Sequence, residues 1–405
     1  MPVADHRAAR YPLGAGITRD ALAADFHPTL HQLRAAEPVS WVPALGGWLV
    51  TAHDLVTEVL RDPVRFTVDD ERFSTGRVVG PSMLSTDGDR HRMHREPFEA
   101  MFRPGPVADT AVALTASVDA LIDGFARERT AELRSRLAAP LAVKVISDFL
   151  GLTSSADAPG SATESAMLAC YRTIVAAVTE LTPGTLVPAA AVAAVAELDE
   201  LVIRRVMAAP GGPLSDLFDK DSPLPRRAVL SNVAVVLFGA IETSEAMTAN
   251  AILHLFGWHL SSSSGRSNPA ENDLAPFCRR VVTESLRLEP AAAVVDRYAT
   301  VRSRLGTSTI EAGEPVIVSL AGANRDPAVF DHPDRFDPDR PNGSRQLAFA
   351  RGPHTCLGIH LATLQTALAV QRLIERLPAL TIDMAASTPP TGLIFRKPDR
   401  VVARW

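Results

Sequence analysis

The chain has 405 residues, 46% hydrophobic and 21% charged, an ordinary globular composition with material for a large core. Its net charge of −5 argues against a nucleic-acid role. Three widely separated cysteines, Cys170, Cys278 and Cys356, give neither a disulfide framework nor zinc spacing, which fits a reducing cytoplasm.

Residues 1–20 read as an N-terminal extension. Met1 to Arg10 carries charges and no apolar core, so it does not read as a signal peptide. Ala21 to Ala36 reads as a helix ending before Pro38, and Val39–Pro43 and Trp48–Thr51 as short strands around Gly46-Gly47. Asp54 to Arg61 is a short helix stopped before Pro63. Val64 to Ser85 is expected to be irregular. Helices follow over Asp89–Met101, Ala108–Ala126, Leu133–Leu150, Thr163–Leu181 and Ala189–Met207, then a break at Pro210–Pro213. Arg226 to Leu260 is the longest helical candidate. No run of eighteen apolar residues occurs, so no membrane span is expected. Ser261 to Gly265 is a low-complexity loop, expected to be mobile. Leu274 to Leu288 is a helix, Pro290 to Leu320 carries β-like segments, and Asn324 to Arg345 is Asp/Pro-rich and irregular. A last helix follows Cys356, with Leu357, Leu361, Leu364 and Leu368 at helical spacing. The tail to Trp405 reads as extended. The whole is mainly α with a minor β region.

The chemistry concentrates at Phe349-Ala350-Arg351-Gly352-Pro353-His354-Thr355-Cys356-Leu357-Gly358. A thiol at a helix N-terminus feels the positive end of the helix dipole, which favours its thiolate. Gly352 and Gly358 let backbone come close to the sulfur, and Phe349 shields one side. This suits a buried thiolate held as a metal ligand. A structural cysteine at a helix start and a catalytic cysteine paired with a distant histidine are the alternatives.

The stretch resembles the haem-binding loop of the cytochrome P450 family, whose pattern is filled by Phe349, Gly352, His354, Cys356 and Gly358. Many members carry glycine where this chain has Ala350. The resemblance implies the family fold over 1–405 as one domain without a fused reductase. Haem b would lie between the long central helix and the helix after the cysteine loop. It also implies that Cys356 is the axial thiolate of the iron, a ligation that favours O–O cleavage.

Other motifs match in the same order. Glu284 and Arg287 lie three apart on one helix face. Spacing alone favours a surface ion pair of little worth. The resemblance implies a buried pair, with Arg335 as the third member of the network. His91 and Arg95, four apart, resemble the family's propionate-binding helix; Arg297 and His354 are expected to add to that grip. The neighbouring Arg90, Arg92 and His94, with Arg103 and Arg351, form a solvated basic face or dock an acidic ferredoxin. Gly239-Ala240-Ile241-Glu242-Thr243-Ser244 resembles the oxygen-activation motif, with Ala240 at the usual second glycine. There Glu242 and Thr243 would deliver protons during O–O cleavage. Thr243 can bond the Gly239 carbonyl and open the helix.

Five regions are expected to face the distal pocket: Phe66–Met83, Met167–Val187, Val236–Thr243, Ala291–Val295 and Leu393–Phe395. The lining would include Val236, Gly239, Ala240, Ala293, Val294 and Ile394. A polar substrate atom there would lose water without compensation. Asp69, Asp70, Glu71, Arg72 and Arg77 would either bind a polar tail, sugar or carrier or form a solvated loop.

The resemblance implies a cytoplasmic, monomeric monooxygenase that puts one oxygen atom from O2 into a C–H bond or alkene. Its substrate would be a bulky apolar natural product: a polyketide, macrolide or terpenoid of antibiotic or other secondary metabolism. Electrons would come from NAD(P)H through an external ferredoxin or flavodoxin and its reductase. The alternatives are desaturation, multi-step oxidation or oxidative coupling, including on a carrier-bound substrate, and a non-catalytic haem-binding protein.

Overall fold

The computed structural model describes residues 6–24, 26–153, 161–181, 184–261 and 274–405. Runs of β-branched and aromatic residues form its main strands, β1 (Val39–Val42), β2 (Gly47–Val50), β3 (Phe66–Thr67), β4 (Val294–Ala299) and β5 (Pro315–Ser319). They pair in the order β1-β2-β5-β4-β3. β2 and β5 run parallel, and the other neighbours are antiparallel. The side chains obey the strand period of two. Trp48, Val50, Val316 and Val318 enter one apolar cluster with Val56, Leu60 and Phe66. Leu49 and Ile317 enter a second with Phe26, Leu30 and Leu33. Both faces of the sheet are therefore buried, and its strands read as near-continuous apolar runs.

Two compact units divide the chain. The first holds residues 1–68, 249–356 and 387–399, including this sheet; the second holds 69–248, 357–386 and 400–405. The helices that carry the candidate residues are α1 (Gly88–Glu99), α2 (Ala162–Glu180), α3 (Arg226–Ser261), α4 (Leu274–Leu288) and α5 (Ile359–Arg376). In the second unit, helix Ala111–Asp123 is tied to α5 by Arg372, whose Nε donates to Asp119 Oδ1 at 2.8 Å.

Several boundaries differ from expectation. Helix Ala108–Ala126 is two helices, Pro104–Asp109 and Ala111–Asp123, and Leu133–Leu150 opens with a π-helical turn at Arg134–Ala138. The stretch Val64–Ser85 contains β3 and a short helix, Ser74–Val79. β3 exists because Phe66 and Thr67 pair with Ala299 and Tyr298, a long-range contact invisible in the local sequence. On α5 the buried stripe is Leu361, Gln365, Ala369, Val370 and Leu373, while Leu364 and Leu368 are half-buried. Residues 262–265 of the serine loop and 182–183 of the expected pocket lie outside the described residues.

α3 is long and apolar enough by composition to cross a membrane, but most of that stretch is buried, as in the core helix of a globular protein. From Val229 to Leu253 every residue is buried except five: Phe238, Gly239, Ala240, Glu242 and Thr243. A buried helix with one open turn is the feature that positions the candidate chemistry.

Candidate active site

The cysteine loop lies in the first unit. A 3-10 turn at Gly352–His354 leads into it, and Cys356 N–H donates to Phe349 O at 2.9 Å, closing the loop. Gly352 has φ 78°, and a Cβ there would stand 2.4 Å from Leu60 O. Its glycine is thus required by the Leu60 backbone rather than by the sulfur, a correction to the expected reason. Ala350 also sits in the left-handed region, at φ 56°. That conformation costs an L-residue roughly 1–2 kcal/mol. Gly358 caps α5 with φ −85°, so left-handed freedom is not its reason. Cys356 is exposed, not buried as expected, and lies three residues before α5; His354 and Phe349 are half-buried. An exposed thiol just ahead of a helix N-terminus suits a metal-ligating thiolate, so these residues fit haem.

α4 carries a buried charge network. Glu284 is 2% exposed and Arg287 0%. Arg287 Nη2 donates to Glu284 Oε1 and Nε to Oε2, each at 2.8 Å. Arg335 does not complete this network. Its side chain is exposed, and it contributes only its carbonyl, which accepts from Arg287 Nη2 at 3.1 Å. Arg340 fills the place instead, its Nε donating to Glu284 Oε1 at 3.1 Å. The sequence carries Pro-Asp-Arg twice, at 333–335 and 338–340, so the motif fits both arginines and only burial separates them.

A second network follows α4. Arg396 Nε donates to Glu289 Oε1 at 2.5 Å, and its guanidinium lies 4.0 Å over the Phe26 ring. His27 Nε2 donates to Glu289 Oε2 at 2.8 Å. Burial alone would raise the Glu289 carboxyl, but the His27 bond and the charges of His27, Arg396 and Arg325 hold it down at about 2. The network joins two segments expected at the pocket: Arg396 N–H donates to Ala291 O at 2.9 Å, and Ala293 N–H to Ile394 O at 2.8 Å. Asn250 of α3 donates to the carbonyls of Glu289 and Arg396 at 3.3 and 3.1 Å.

The expected pocket lining is only partly open. Ala293 and Val294 are buried within the cluster of Leu22, Phe26 and Leu30, because strand pairing turns them into the sheet's apolar layer. Val236 is also buried. Ile394, Gly239 and Ala240 keep exposed surface. Arg297, on β4, is buried and donates to Asp296 O at 2.7 Å.

In the second unit, Thr243 donates to Gly239 O, the expected i−4 bond. Tyr171 of α2, which the sequence reading passed over, donates to Glu242 Oε2 at 3.3 Å. One turn on, Arg134 Nε donates to Glu245 Oε1 at 2.7 Å. On α1, His91 is buried with Nδ1 2.8 Å from Met83 O, and Arg95 Nε donates to Glu99 at 2.6 Å. The proposed basic docking face loses His94, which is buried with Nδ1 2.9 Å from Asn232 Nδ2. Burial lowers its pKa, and the charges of Arg90 and His91 lower it further. Arg90 pairs with Asp69 at 2.9 Å, Arg92 with Asp89, and Arg72 with Asp70 at 2.8 Å, so these side chains satisfy one another.

A family model described as Cytochrome P450 matches residues 264–398. The chain is 30% identical to cytochrome P450 monooxygenase PikC of Streptomyces venezuelae, over 92% of this chain and 89% of that one. It is 28% identical to erythromycin C-12 hydroxylase of Saccharopolyspora erythraea, over 87% of each chain. Its fold matches a crystal structure of P450BioI, in complex with an acyl carrier protein ligated to hexadec-9Z-enoic acid. The TM-score is 0.79 and the identity 23%, covering 96% of this chain and 100% of that one. The chain belongs to the cytochrome P450 family. It is a P450 monooxygenase, with haem as cofactor and electrons drawn from NAD(P)H through redox partners.

Proposed function

We propose that this monooxygenase inserts one oxygen atom into a C–H bond or alkene of a bulky apolar natural product, a polyketide, macrolide or terpenoid. The observation that carries the reading is the open turn of α3. Within a helix buried from Val229 to Leu253, surface remains only at Phe238, Gly239, Ala240, Glu242 and Thr243. Small and apolar groups there would accept a carbon skeleton and penalise an unpaired polar atom. The 28% identity to an erythromycin C-12 hydroxylase supports a substrate of the antibiotic-pathway kind.

Cys356 would hold the iron, with Phe349 and Gly358 flanking it. His91, Arg95, Arg297 and His354 would grip the propionates. Thiolate-ligated haem supplies the electron push that favours O–O cleavage. The chain's own work is to meter protons: Glu242 takes them up, and Thr243, held on the Gly239 carbonyl, fixes the hydroxyl that passes them on.

The test is a Soret titration of the holoenzyme against macrolide, polyketide and terpenoid precursors, followed by turnover of Thr243→Ala. A low-to-high-spin shift with one class, and NADPH consumption without product in the variant, are expected. Unchanged coupling in Thr243→Ala would remove the proton-metering role. Cys356→Ser that kept the thiolate carbon monoxide spectrum would remove the ligand assignment.

A further inference from the structure

We propose that Tyr171 is a positioning residue for the reaction: its phenol holds the Glu242 carboxylate beside Thr243. The inference rests on the reading of Glu242 and Thr243 as the proton-metering pair.

Glu242 stands on the open turn of α3, where a half-buried carboxylate on a flexible stem has several rotamers available. To serve the adjacent hydroxyl it must be oriented. The Tyr171 side chain comes from a different helix, α2, is itself buried, and donates to Oε2 at 3.3 Å. Its ring is fixed by packing, so the bond has a rigid anchor. Glu245, three residues on and on the same helix face, is held separately by Arg134 at 2.7 Å. Glu245 thus has a donor of its own.

The proton inventory agrees. Burial raises the phenol's pKa, and the carboxylates of Glu242 and Glu245 raise it further, so Tyr171 stays a donor at any working pH. It orients and does not transfer.

The experiment uses holoenzyme with NADPH, a plant-type ferredoxin and its reductase, and testosterone as a fixed apolar probe. The readout is hydrogen peroxide released per NADPH consumed. This branching ratio depends on proton delivery whether or not testosterone is oxidised, and does not depend on which step limits the rate. Tyr171→Phe keeps the ring and should change the ratio about fivefold, the effect of one lost hydrogen bond. Glu242→Asp, which withdraws the carboxylate from an intact phenol, should do the same. In a Glu242→Gln background, Tyr171→Phe should add nothing. An additive effect there, or a wild-type ratio in Tyr171→Phe while Glu242→Gln shifts it, overturns the inference. A wild-type ratio in Glu242→Gln itself sinks the proton-metering reading first. The carbon monoxide spectrum certifies each variant's haem site.

Discussion

The choice between Arg335 and Arg340 can be decided by stability. Arg340 is nearly buried at 7% side-chain exposure. Besides Glu284, its Nη1 donates to Asp331 O at 2.6 Å and its Nη2 to Arg335 O at 3.0 Å. Arg340→Ala removes these charge-assisted bonds and leaves Glu284 to Arg287 and to Asp337 N–H, which donates at 3.0 Å. Hydrogen bonds to charged groups contribute about 1.5–3 kcal/mol each and are not additive. Breaking one partner out of a buried ionic network costs about 3 kcal/mol. Unfolding entropy of about 2.1 cal/mol/K per residue converts that to a fall in Tm of ~3 to 4 °C for a chain of this length. Arg335→Ala keeps the backbone carbonyl that Arg287 uses and should cost less than about 0.5 kcal/mol, as exposed substitutions do. The assay is thermal melting of both holoproteins followed at the Soret band. Equal losses in the two variants, or a larger loss for Arg335→Ala, would refute the assignment.

Three further outcomes follow from backbone conformation and buried titration. Ala350→Gly relieves the left-handed strain at φ 56°, against the flexibility glycine gains when unfolded, for a net gain of about 0.5 kcal/mol. Gly352→Ala, two residues away, should abolish stable haem incorporation because its Cβ meets Leu60 O; melting curves and haem content check both. His254 has Nδ1 2.9 Å from Ser285 Oγ. Burial lowers its pKa to about 4 against the pull of Glu289, and Arg325, His27 and Arg287 lower it further. The unfolded chain thus binds more protons between pH 6.5 and pH 4, so stability falls as pH drops through that window, by about 2 kcal/mol at pH 5 from this group. His254→Phe should shrink the difference in Tm between pH 7 and pH 5 by roughly 2 °C; an unchanged difference would remove His254 from the acid response.

What the sequence made legible was what one short segment specifies. The cysteine loop packs an exposed thiol, a tight turn and a helix start into ten residues. The span of α3 and the pairing of Glu284 with Arg287 follow from composition and spacing. The rest needed contacts between distant segments. Glu289 and Arg396 are 107 residues apart, and Tyr171 and Glu242 are 71 apart, with no motif around the tyrosine. The twin Pro-Asp-Arg segments show the same limit inside a motif, since burial alone chose Arg340. Ala293 and Val294 show it for the pocket: they were expected on its lining, and strand pairing buries them in the sheet's apolar layer instead.

Several positions that break local rules fall in the two segments proposed to carry the chemistry. An alanine in a left-handed conformation is costly, and Ala350 takes it six residues before Cys356. A threonine that bonds the i−4 carbonyl bends a helix, and Thr243 does so on Gly239. A glycine and a glutamate in the middle of a buried helix both weaken it, and Gly239 and Glu242 occupy the one turn between Val229 and Leu253 that stays open. Each departure costs stability where packing alone would have chosen a different residue. Natural sequences keep such departures where function requires them and offset the loss elsewhere. Here the two charge networks, on Glu284 and Glu289, hold α4 and the segments after it in fixed register, and that rigidity lets the neighbouring loop carry its strain.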